Sequence, residues 1–333
     1  MTTEVFGRLS DGESIHRLHI NAGAISVALL TRGAVLNDVR LESIPYSLTV
    51  GSPDIAAYEG KMGSAGATCG PVVNRIAGAK AEIDGKTYDF ATNFLGKHTL
   101  HGGDAAMHRR TWEIAETDDG SATLQIRQAD GDGGFPGNRL FTARFEVLPP
   151  ATLRLTLSAE TDAPTVVNLA NHSYWRLDDA PTVAGHILKL AAAEYTPATE
   201  DLIPTGEIAP VDGTRFDYRE GRVLEGGAEG LIDNNFCLSR GREPLRPVAW
   251  LTGQSGVTME MATTEPGIQV YDGHGLEQAP YVLHDGTTAR GYCGVALEAQ
   301  YWPDAPNHPN FPSIVLRPGE PWKQVTEWRF SAG

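Results

Sequence analysis

The chain has 333 residues, of which 41% are hydrophobic and 21% are charged, a composition typical of a globular protein with a substantial core. The formal net charge is −15, so phosphate backbones and anionic membranes would be repelled. We therefore expect no nucleic acid and no membrane as partners, whereas a neutral substrate would be unaffected by this charge.

The start of the chain and its cysteines indicate a compartment. Residues 1–6 lack the basic head and apolar core of a secretory signal, and no apolar run is long enough to span a bilayer. Cys69, Cys237 and Cys293 are odd in number and have neither pairing nor metal-ligand spacing, which suits a reducing environment. We therefore expect a cytoplasmic protein.

Short alternating or continuous apolar segments recur along the chain, bounded by Gly, Pro, Asn and Asp. This pattern predicts β-strands, in chain order at 25–30, 47–50, 123–127, 140–147, 153–158 and 257–261. Asp84-Gly85 predicts a two-residue hairpin turn. The best helix candidates, 52–58 and 197–201, are each only a turn or two long.

Strands do not alternate with long helices, which disfavours a parallel doubly wound sheet and favours an antiparallel sandwich. The chain contains no charge-rich or Ser/Gly-rich linker and no convincing repeat. We therefore predict an all-β protein, a large antiparallel β-sandwich with few short helices, in which residues 1–333 form a single domain.

Two polar segments in the first third of the chain are suited to binding a polar ligand. Asn74-Arg75 follows a turn, and a guanidinium fork matches paired oxygens such as vicinal hydroxyls, although a surface ion pair is the alternative. His101 precedes two glycines, which suits an imidazole beside backbone that a ligand approaches closely. His98 and His101 could instead bind zinc, but no further ligands follow at recognisable spacing, so no metal is predicted.

The densest polar cluster runs from Asn168 to Trp175 and contains Asn, His, Ser, Tyr and Trp side chains. These residue types offer neutral donors and acceptors and an aromatic face, which together can hold a polyhydroxylated ring. His172 is the best candidate for a proton donor working near neutral pH. The alternative is a core histidine with satisfied hydrogen bonds.

Asp233 and Gln269 add polar groups at predicted strand ends, although Gln269 also fits ordinary strand alternation. Glu298 ends the apolar run 294–297 and precedes a segment rich in proline. That order places one carboxylate at the edge of a rigid scaffold beside a stiff loop, where catalytic groups are often found. The alternative is a solvated strand end.

Taken together, these segments resemble the galactose mutarotase (aldose 1-epimerase) family, and they occur in the family's order over most of the chain. The resemblance is carried by Asn74-Arg75-Ile76, Thr99-Leu100-His101-Gly102-Gly103, Gly134-Phe135-Pro136-Gly137, Asn168-Leu169 with Asn171-His172-Ser173-Tyr174, and Glu298 leading into Asn307-His308-Pro309-Asn310-Phe311-Pro312. It implies a large antiparallel β-sandwich with a shallow sugar cleft and no cofactor. It also implies a free monosaccharide as partner, and we expect a monomer or a weak homodimer.

Matched position by position, the resemblance implies Glu298 as general base, His172 as general acid and His101 as a group assisting near the ring oxygen. The groups that it implies for binding sugar hydroxyls are Asn74, Arg75, Asp233 and Gln269.

An aldose 1-epimerase interconverts the α and β anomers of a free aldose by opening the hemiacetal and closing it on the other carbonyl face. Opening removes the C1 hydroxyl proton while the ring oxygen receives one, so we expect Glu298 and His172 on opposite sides of the sugar. Two other functions stay open. A glycoside hydrolase would use Glu298 and Asp233 as its two carboxylates, and a non-catalytic sugar-binding module would need no acid–base pair.

Overall fold

The computed structural model describes residues 2–228 and 230–333, which form mostly short antiparallel strands. In chain order the strands are β1 (Thr2–Arg8), β2 (Ser14–Ala22), β3 (Ile25–Leu30), β4 (Val35–Leu41), β5 (Thr68–Cys69), β6 (Arg75–Ile76), β7 (Lys80–Ile83), β8 (Lys86–Asp89), β9 (Thr99–Leu100), β10 (Glu113–Thr117), β11 (Ser121–Gln128), β12 (Arg139–Leu148), β13 (Thr152–Thr161) and β14 (Thr165–Val166). They continue as β15 (Ala170–Asn171), β16 (Tyr174–Trp175), β17 (Ile187–Leu190), β18 (Glu194–Thr196), β19 (Ala209–Pro210), β20 (Arg222–Val223), β21 (Asp233–Cys237), β22 (Arg246–Thr252), β23 (Thr258–Thr263), β24 (Gly267–Tyr271), β25 (Val295–Gln300), β26 (Val315–Leu316) and β27 (Trp322–Ser331).

Across residues 2–228 and 230–333, helical structure is limited to one short α-helix, α1 (Ile55–Glu59), and to 3-10 turns. The 3-10 turns are Ala77–Ala79, Gly103–Ala105, Met107–Arg109, Asp132–Gly134, His274–Gln278 and Ala305–Asn307. Within the described part of the chain, no helix has the length and apolarity needed to cross a bilayer.

Three large sheets organise the strands. A nine-stranded sheet has the order β10-β11-β12-β13-β27-β23-β22-β17-β20, a six-stranded sheet has the order β16-β25-β24-β21-β18-β19, and β1 to β4 form a four-stranded sheet in sequence order. Neighbouring strands in these sheets are antiparallel. This confirms the predicted all-β class.

The main core lies between the nine-stranded sheet on one side and the six-stranded and four-stranded sheets on the other. Successive side chains of a strand point to opposite faces, so alternate positions of β12 and β13 supply Phe141, Phe145 and Leu155 from one side. Leu18 of β2 and Leu297 of β25 contribute from the other side. Each fully buried side chain of this size stabilises the fold by roughly 1.5–3 kcal/mol. The predicted sandwich is confirmed as sheets packed face to face.

Most of the local predictions are confirmed. Five of the six predicted strand segments fall on β3, β11, β12, β13 and β23. The Asp84-Gly85 turn joins β7 to β8 with φ values of 53° and 78°, both positive, as the favoured two-residue hairpin turn requires. Helix α1 begins after Asp54, whose side chain accepts a hydrogen bond from the Ala56 N–H (2.9 Å) and caps it.

Two local predictions were wrong. Residues 197–201 form no helix, because the chain turns at Thr199, whose carbonyl accepts the Leu202 N–H while its N–H donates to the Ile203 carbonyl. Residues 47–50 contribute only a single bridge, between Thr49 and Trp175, rather than a strand. At 197–201 a local turn replaces the predicted helix, and at 47–50 the bridge to the distant Trp175 replaces the predicted strand.

Candidate active site

One face of the six-stranded sheet carries polar and aromatic side chains in two rows. Residues directly opposite each other on antiparallel strands point to the same face. The first row contains Tyr174, Ala296, Tyr271 and Asp233, and the second contains Glu298, Gln269 and Asn235. The intervening residues of the same strands, such as Val270 and Leu297, fill the core. Site and core are therefore built from alternate positions.

Glu298 lies inside β25, which continues to Gln300, and is only 2% exposed. The alternative of a solvated strand end was therefore wrong. Because β16 pairs with β25, the chain just before β16 brings His172 next to this carboxylate. The backbone holds His172 in place, since its N–H donates to the Ala67 carbonyl (2.8 Å) and its carbonyl accepts the Gly66 N–H (2.9 Å).

The two side chains are direct neighbours, with Nε2 of His172 3.6 Å from Oε1 of Glu298. The expectation that they lie on opposite sides of a sugar was wrong, because this gap has no room for a ring. Both groups face the same cleft. Nδ1 of His172 and Oε2 of Glu298 are buried and make no hydrogen bond within residues 2–228 and 230–333.

Burial sets the protonation of this pair. Loss of water raises the pKa of Glu298 well above its usual range, and the nearby negative charge of Asp233 raises it further. The same loss of water lowers the pKa of His172 to about 4. Both shifts disfavour charge, so the pair carries one proton between its two members over the pH range that separates the lowered His172 pKa from the raised Glu298 pKa.

His101 is held by a reciprocal contact with Asn74. The backbone N–H of His101 donates to the backbone carbonyl of Asn74 (2.9 Å), and the backbone N–H of Asn74 donates to the ring atom Nδ1 of His101 (3.1 Å). Burial lowers the pKa of His101 well below its usual range. The neutral ring must therefore carry its proton on Nε2, which makes that nitrogen a donor. The next residue, Gly102, has φ 86°, and an added Cβ would lie 2.4 Å from the Gly70 carbonyl oxygen, so glycine is required there.

Arg75 is fixed by an almost buried ion pair. Its Nη2 donates to Oδ2 of Asp233 (3.0 Å), with both side chains 9% exposed, and the guanidinium lies 4.8 Å from the centroid of the Phe94 ring. Oδ1 of Asp233 accepts from Nε2 of Gln269 (2.6 Å). Gln269 thus lies behind Asp233, and its side chain is not among those that line the cleft.

The proline-rich segment after Glu298 supports Arg75 from behind. The Asp304 N–H donates to the Arg75 carbonyl (3.1 Å), and Oδ1 of Asp304 accepts from the Ala77 N–H (2.8 Å) and from Nδ2 of Asn307 (2.6 Å). None of residues 301–312, all described, lines the cleft. This stiff loop therefore positions the arginine strand and does not touch the space beside Glu298.

The polar cluster from Asn168 to Trp175 contributes less than expected. Only His172 and Tyr174 line the cleft. Trp175 is fully buried in the core, 5.4 Å from the Trp328 ring centroid, and the Asn168 amide donates to the Tyr301 carbonyl (3.0 Å). Reading the whole cluster as a sugar-binding surface was wrong, since neighbouring residues of a short strand point to opposite faces.

The two histidines considered as zinc ligands, His98 and His101, lie in different parts of the structure. Nδ1 of His98 accepts from the Gly78 N–H (3.1 Å), while His101 lies in the cleft. Among the residues that the structure describes, no group of three or more His, Cys, Asp and Glu side chains could hold a metal ion.

The cleft has a volume of about 340 Å³, and sequence reasoning missed part of its lining. The missed residues are Lys61, Ser64, Phe94, Leu202, His274, Gly275 and Leu276, and Tyr271 was given no role of its own. A signal existed for Tyr271, because it follows Gln269 by two residues and therefore shares its strand face. Phe94 and Leu202 come from irregular segments, whose side-chain directions follow no sequence period.

A polar, aromatic-walled cleft with a buried carboxylate–imidazole pair at its floor is typical of an enzyme that uses acid–base chemistry on a small polar molecule. Known proteins refine this class. A family model described as aldose 1-epimerase matches residues 16–329. Galactose mutarotase from Homo sapiens is 32% identical over 341 residues, covering 99% of this chain and 98% of that protein. Aldose 1-epimerase from Escherichia coli is 30% identical over 357 residues, covering all of both.

Solved structures give the same result. The aldose epimerase homologue from C. elegans has a TM-score of 0.87 at 28% identity, covering 95% of this chain and 98% of that one. A galactose 1-epimerase from Lactobacillus acidophilus has the same fold, with a TM-score of 0.86 at 22% identity over 100% of this chain and 98% of that one. The chain therefore belongs to the aldose 1-epimerase family, whose members are isomerases acting on sugars, and the resemblance is confirmed.

Proposed function

We propose that this protein is an aldose 1-epimerase that interconverts the α and β anomers of a free aldose, with Glu298 as general base and His172 as general acid. The observation that carries the proposal is the 3.6 Å separation of Nε2 of His172 and Oε1 of Glu298 at the floor of the cleft. A proton donor and a proton acceptor side by side fit a reaction that moves two protons at neighbouring atoms.

Neighbouring rather than opposed groups suit a hemiacetal. The C1 hydroxyl oxygen and the ring oxygen are attached to the same carbon, so two groups 3.6 Å apart can each hydrogen-bond to one of them. Glu298 removes the hydroxyl proton as the C1–ring oxygen bond breaks, and His172 protonates the ring oxygen. Rotation about C1–C2 then presents the other carbonyl face, and ring closure reverses both transfers.

These roles need the shared proton on His172. Burial favours the neutral form, in which Glu298 holds it, because it raises the Glu298 pKa and lowers that of His172 to about 4. In the other form, with Glu298 negative and His172 positive, the two charges attract each other. At about 4 Å and an effective dielectric constant of 20, this attraction stabilises the ion pair by roughly 4 kcal/mol, equivalent to about three pKa units. This attraction therefore works against the preference for the neutral form, and hydrogen bonds from a sugar favour the ion pair further.

The remaining cleft residues are assigned by their donors and acceptors. His101, neutral with its proton on Nε2, donates near the ring oxygen. Arg75, Asp233 and Asn74 hydrogen-bond sugar hydroxyls, and Gln269 orients Asp233 through the 2.6 Å contact. Since Asp233 is already ion-paired with Arg75, it is poorly suited to be the second acid of a glycoside hydrolase.

Polarimetry tests the function. Freshly dissolved α-anomers of glucose, galactose, xylose and arabinose are followed with and without the protein, and accelerated decay to equilibrium for at least one sugar supports the proposal. Sugar binding by calorimetry without acceleration would instead indicate a binding module. Release of reducing sugar from a disaccharide would indicate a hydrolase.

The pH dependence of kcat/KM is expected to be bell-shaped, because only the one-proton form of the pair is active. As pH falls, the pair gains a second proton, and this acidic limb lies near pH 4 since burial lowers the His172 pKa to about 4. As pH rises, the last proton leaves, and this limb lies above the usual carboxyl range because the Glu298 pKa is raised. Rates corrected for spontaneous mutarotation measure this, and an acidic limb at 6.5 would contradict it.

Arg75→Lys is expected to raise KM about 10- to 100-fold with a smaller effect on kcat, because lysine keeps the charge beside Asp233 but loses the fork that binds paired oxygens. Keeping a positive charge matters, since removing one partner of a buried ion pair is strongly destabilising. Saturation kinetics measure both constants. Arg242→Lys is the matched control, because Arg242 pairs with buried Glu265 outside the cleft. An unchanged KM in Arg75→Lys would remove Arg75 from substrate binding.

A further inference from the structure

His274 enters the cleft just beyond the end of β24. The strand ends at Tyr271, and Gly273 then turns the chain with φ 75°, where an added Cβ would lie 2.4 Å from the Gly294 carbonyl oxygen. This glycine-dependent turn brings the imidazole of His274 back beside Tyr271, with ring centroids 5.0 Å apart. Both side chains line the cleft.

A buried carboxylate fixes the orientation of this imidazole. Oδ1 of Asp272 accepts the backbone N–H of His274 (3.1 Å) and lies 2.8 Å from Nδ1 of the same residue. Oδ2 of Asp272 accepts the Ile232 N–H (2.9 Å), which ties this unit to the strand carrying Asp233. Because the carboxylate only accepts, Nδ1 of His274 carries a proton.

Nε2 of His274 is left for a ligand. It makes no hydrogen bond to any residue in 2–228 and 230–333. The His274 side chain is 30% exposed, while Asp272, which orients it, is 7% exposed. A polar group that is held rigidly, faces a cleft and lacks a protein partner is suited to fixing the orientation of a bound molecule.

The strand places His274 away from the acid–base pair. Gln269 lies directly opposite Glu298, and Tyr271 follows two residues later, roughly 6–7 Å along the strand. The His274 ring lies 5.0 Å from the Tyr271 ring, whereas the His172 ring lies 6.3 Å from it. A sugar whose C1 contacts Glu298 therefore reaches His274 with hydroxyls that are remote from C1.

We propose that His274 is a substrate-binding and specificity-determining residue whose Nε2 hydrogen-bonds a sugar hydroxyl on C3, C4 or C6, with Asp272 as its positioning residue. This rests on the proposed mutarotase function. It assigns the recognition of the end of the sugar remote from C1 to a residue outside the acid–base pair and the arginine–aspartate pair.

The test measures coupling between the side chain and individual hydroxyls. Polarimetric kcat/KM values are determined for the aldose turned over fastest and for its analogues deoxygenated at C3, C4 or, for a hexose, C6. In the unaltered protein, removal of the contacted hydroxyl is expected to lower kcat/KM roughly 3- to 10-fold. In His274→Phe, which keeps a ring but has no nitrogen, that penalty should disappear, and the loss for the parent sugar should appear in KM.

Two further variants make the outcome decisive. In Asp272→Asn, removal of the contacted hydroxyl is expected to lower kcat/KM by less than in the unaltered protein, because the imidazole is no longer held by a carboxylate. This variant takes the place of His274→Phe if His274→Phe does not fold. His19→Phe is the matched control, a part-exposed histidine beside Glu4 outside the cleft, and should keep the full penalty. Loss of folded protein lowers all rates alike and leaves the ratio unchanged.

An unaltered protein that turns over sugars but shows the same penalties in His274→Phe would overturn this inference alone. An unaltered protein that accelerates no anomerisation would overturn the proposed function together with it.

Discussion

Glu298→Gln is expected to lower kcat by at least about 100-fold while leaving the fold intact. Glutamine has nearly the same shape but cannot take a proton from the C1 hydroxyl, so the transition state loses its base. Substrate binding should change little, because the amide can still contact the hydroxyl. Replacing a buried group whose pKa is raised by burial with a neutral one should not reduce the free energy of unfolding, since the neutral form is already favoured there. Polarimetric decay of a fresh α-anomer measures kcat, and thermal denaturation measures stability.

Glu265→Gln is the matched control for this experiment. Glu265 is equally buried but forms an ion pair away from the cleft, with its Oε1 2.6 Å from Nε of Arg242. This variant should keep its turnover, because Glu265 does not line the cleft. A near-normal kcat in Glu298→Gln would remove Glu298 from the mechanism.

His172→Ala is the second substitution expected to reduce kcat by at least about 100-fold, since the ring oxygen then lacks its proton donor. Because alanine leaves a cavity beside Glu298, added imidazole can occupy the space that the side chain vacates. Partial recovery of the rate with imidazole, rising as its concentration rises, would identify the missing group as a proton carrier. A variant that is slow solely because its fold is damaged would not recover.

A buried histidine elsewhere separates chemistry from packing. His186 is fully buried, accepts the Leu177 N–H at Nε2 (3.0 Å) and lies outside the cleft, so His186→Gln should keep its turnover. The double variant Glu298→Gln/His172→Ala should be little slower than either single variant, because groups that act as a unit are not additive. Losses that multiply would mean that the two residues act independently.

Much of the fold was accessible from sequence because its strands are long and alternate cleanly. The segments inside β12 and β13 show period-two patterns, and their inward residues, such as Phe141 and Leu155, do form the core. Short segments failed, as at 197–201, because a pattern of one or two turns does not distinguish a short helix from a hydrogen-bonded turn such as the one at Thr199. The assignments of 1–333 to a single domain and of a monomer or weak homodimer stay predictions.

The sequence predicted most residues of the candidate site but not how they are arranged in space. Each motif could be recognised separately, yet the pairing of β16, β24 and β25 that makes His172 and Glu298 neighbours is a long-range register, which no local pattern specifies. For the same reason Gln269 was expected to contact the sugar, although it lies behind Asp233. His274 was missed because its position depends on a turn rather than on a strand period.

The interleaving of core and cleft along β24 and β25 limits how this protein can vary in length. Inserting or deleting one residue in either strand would turn Glu298 or Gln269 into the hydrophobic interior and expose Leu297 or Val270 in exchange. Such a change would remove function and foldability in one step, so it has no viable intermediate. Tolerated insertions are therefore expected in the connections between strands, and new sugar preferences can arise there without disturbing the acid–base pair.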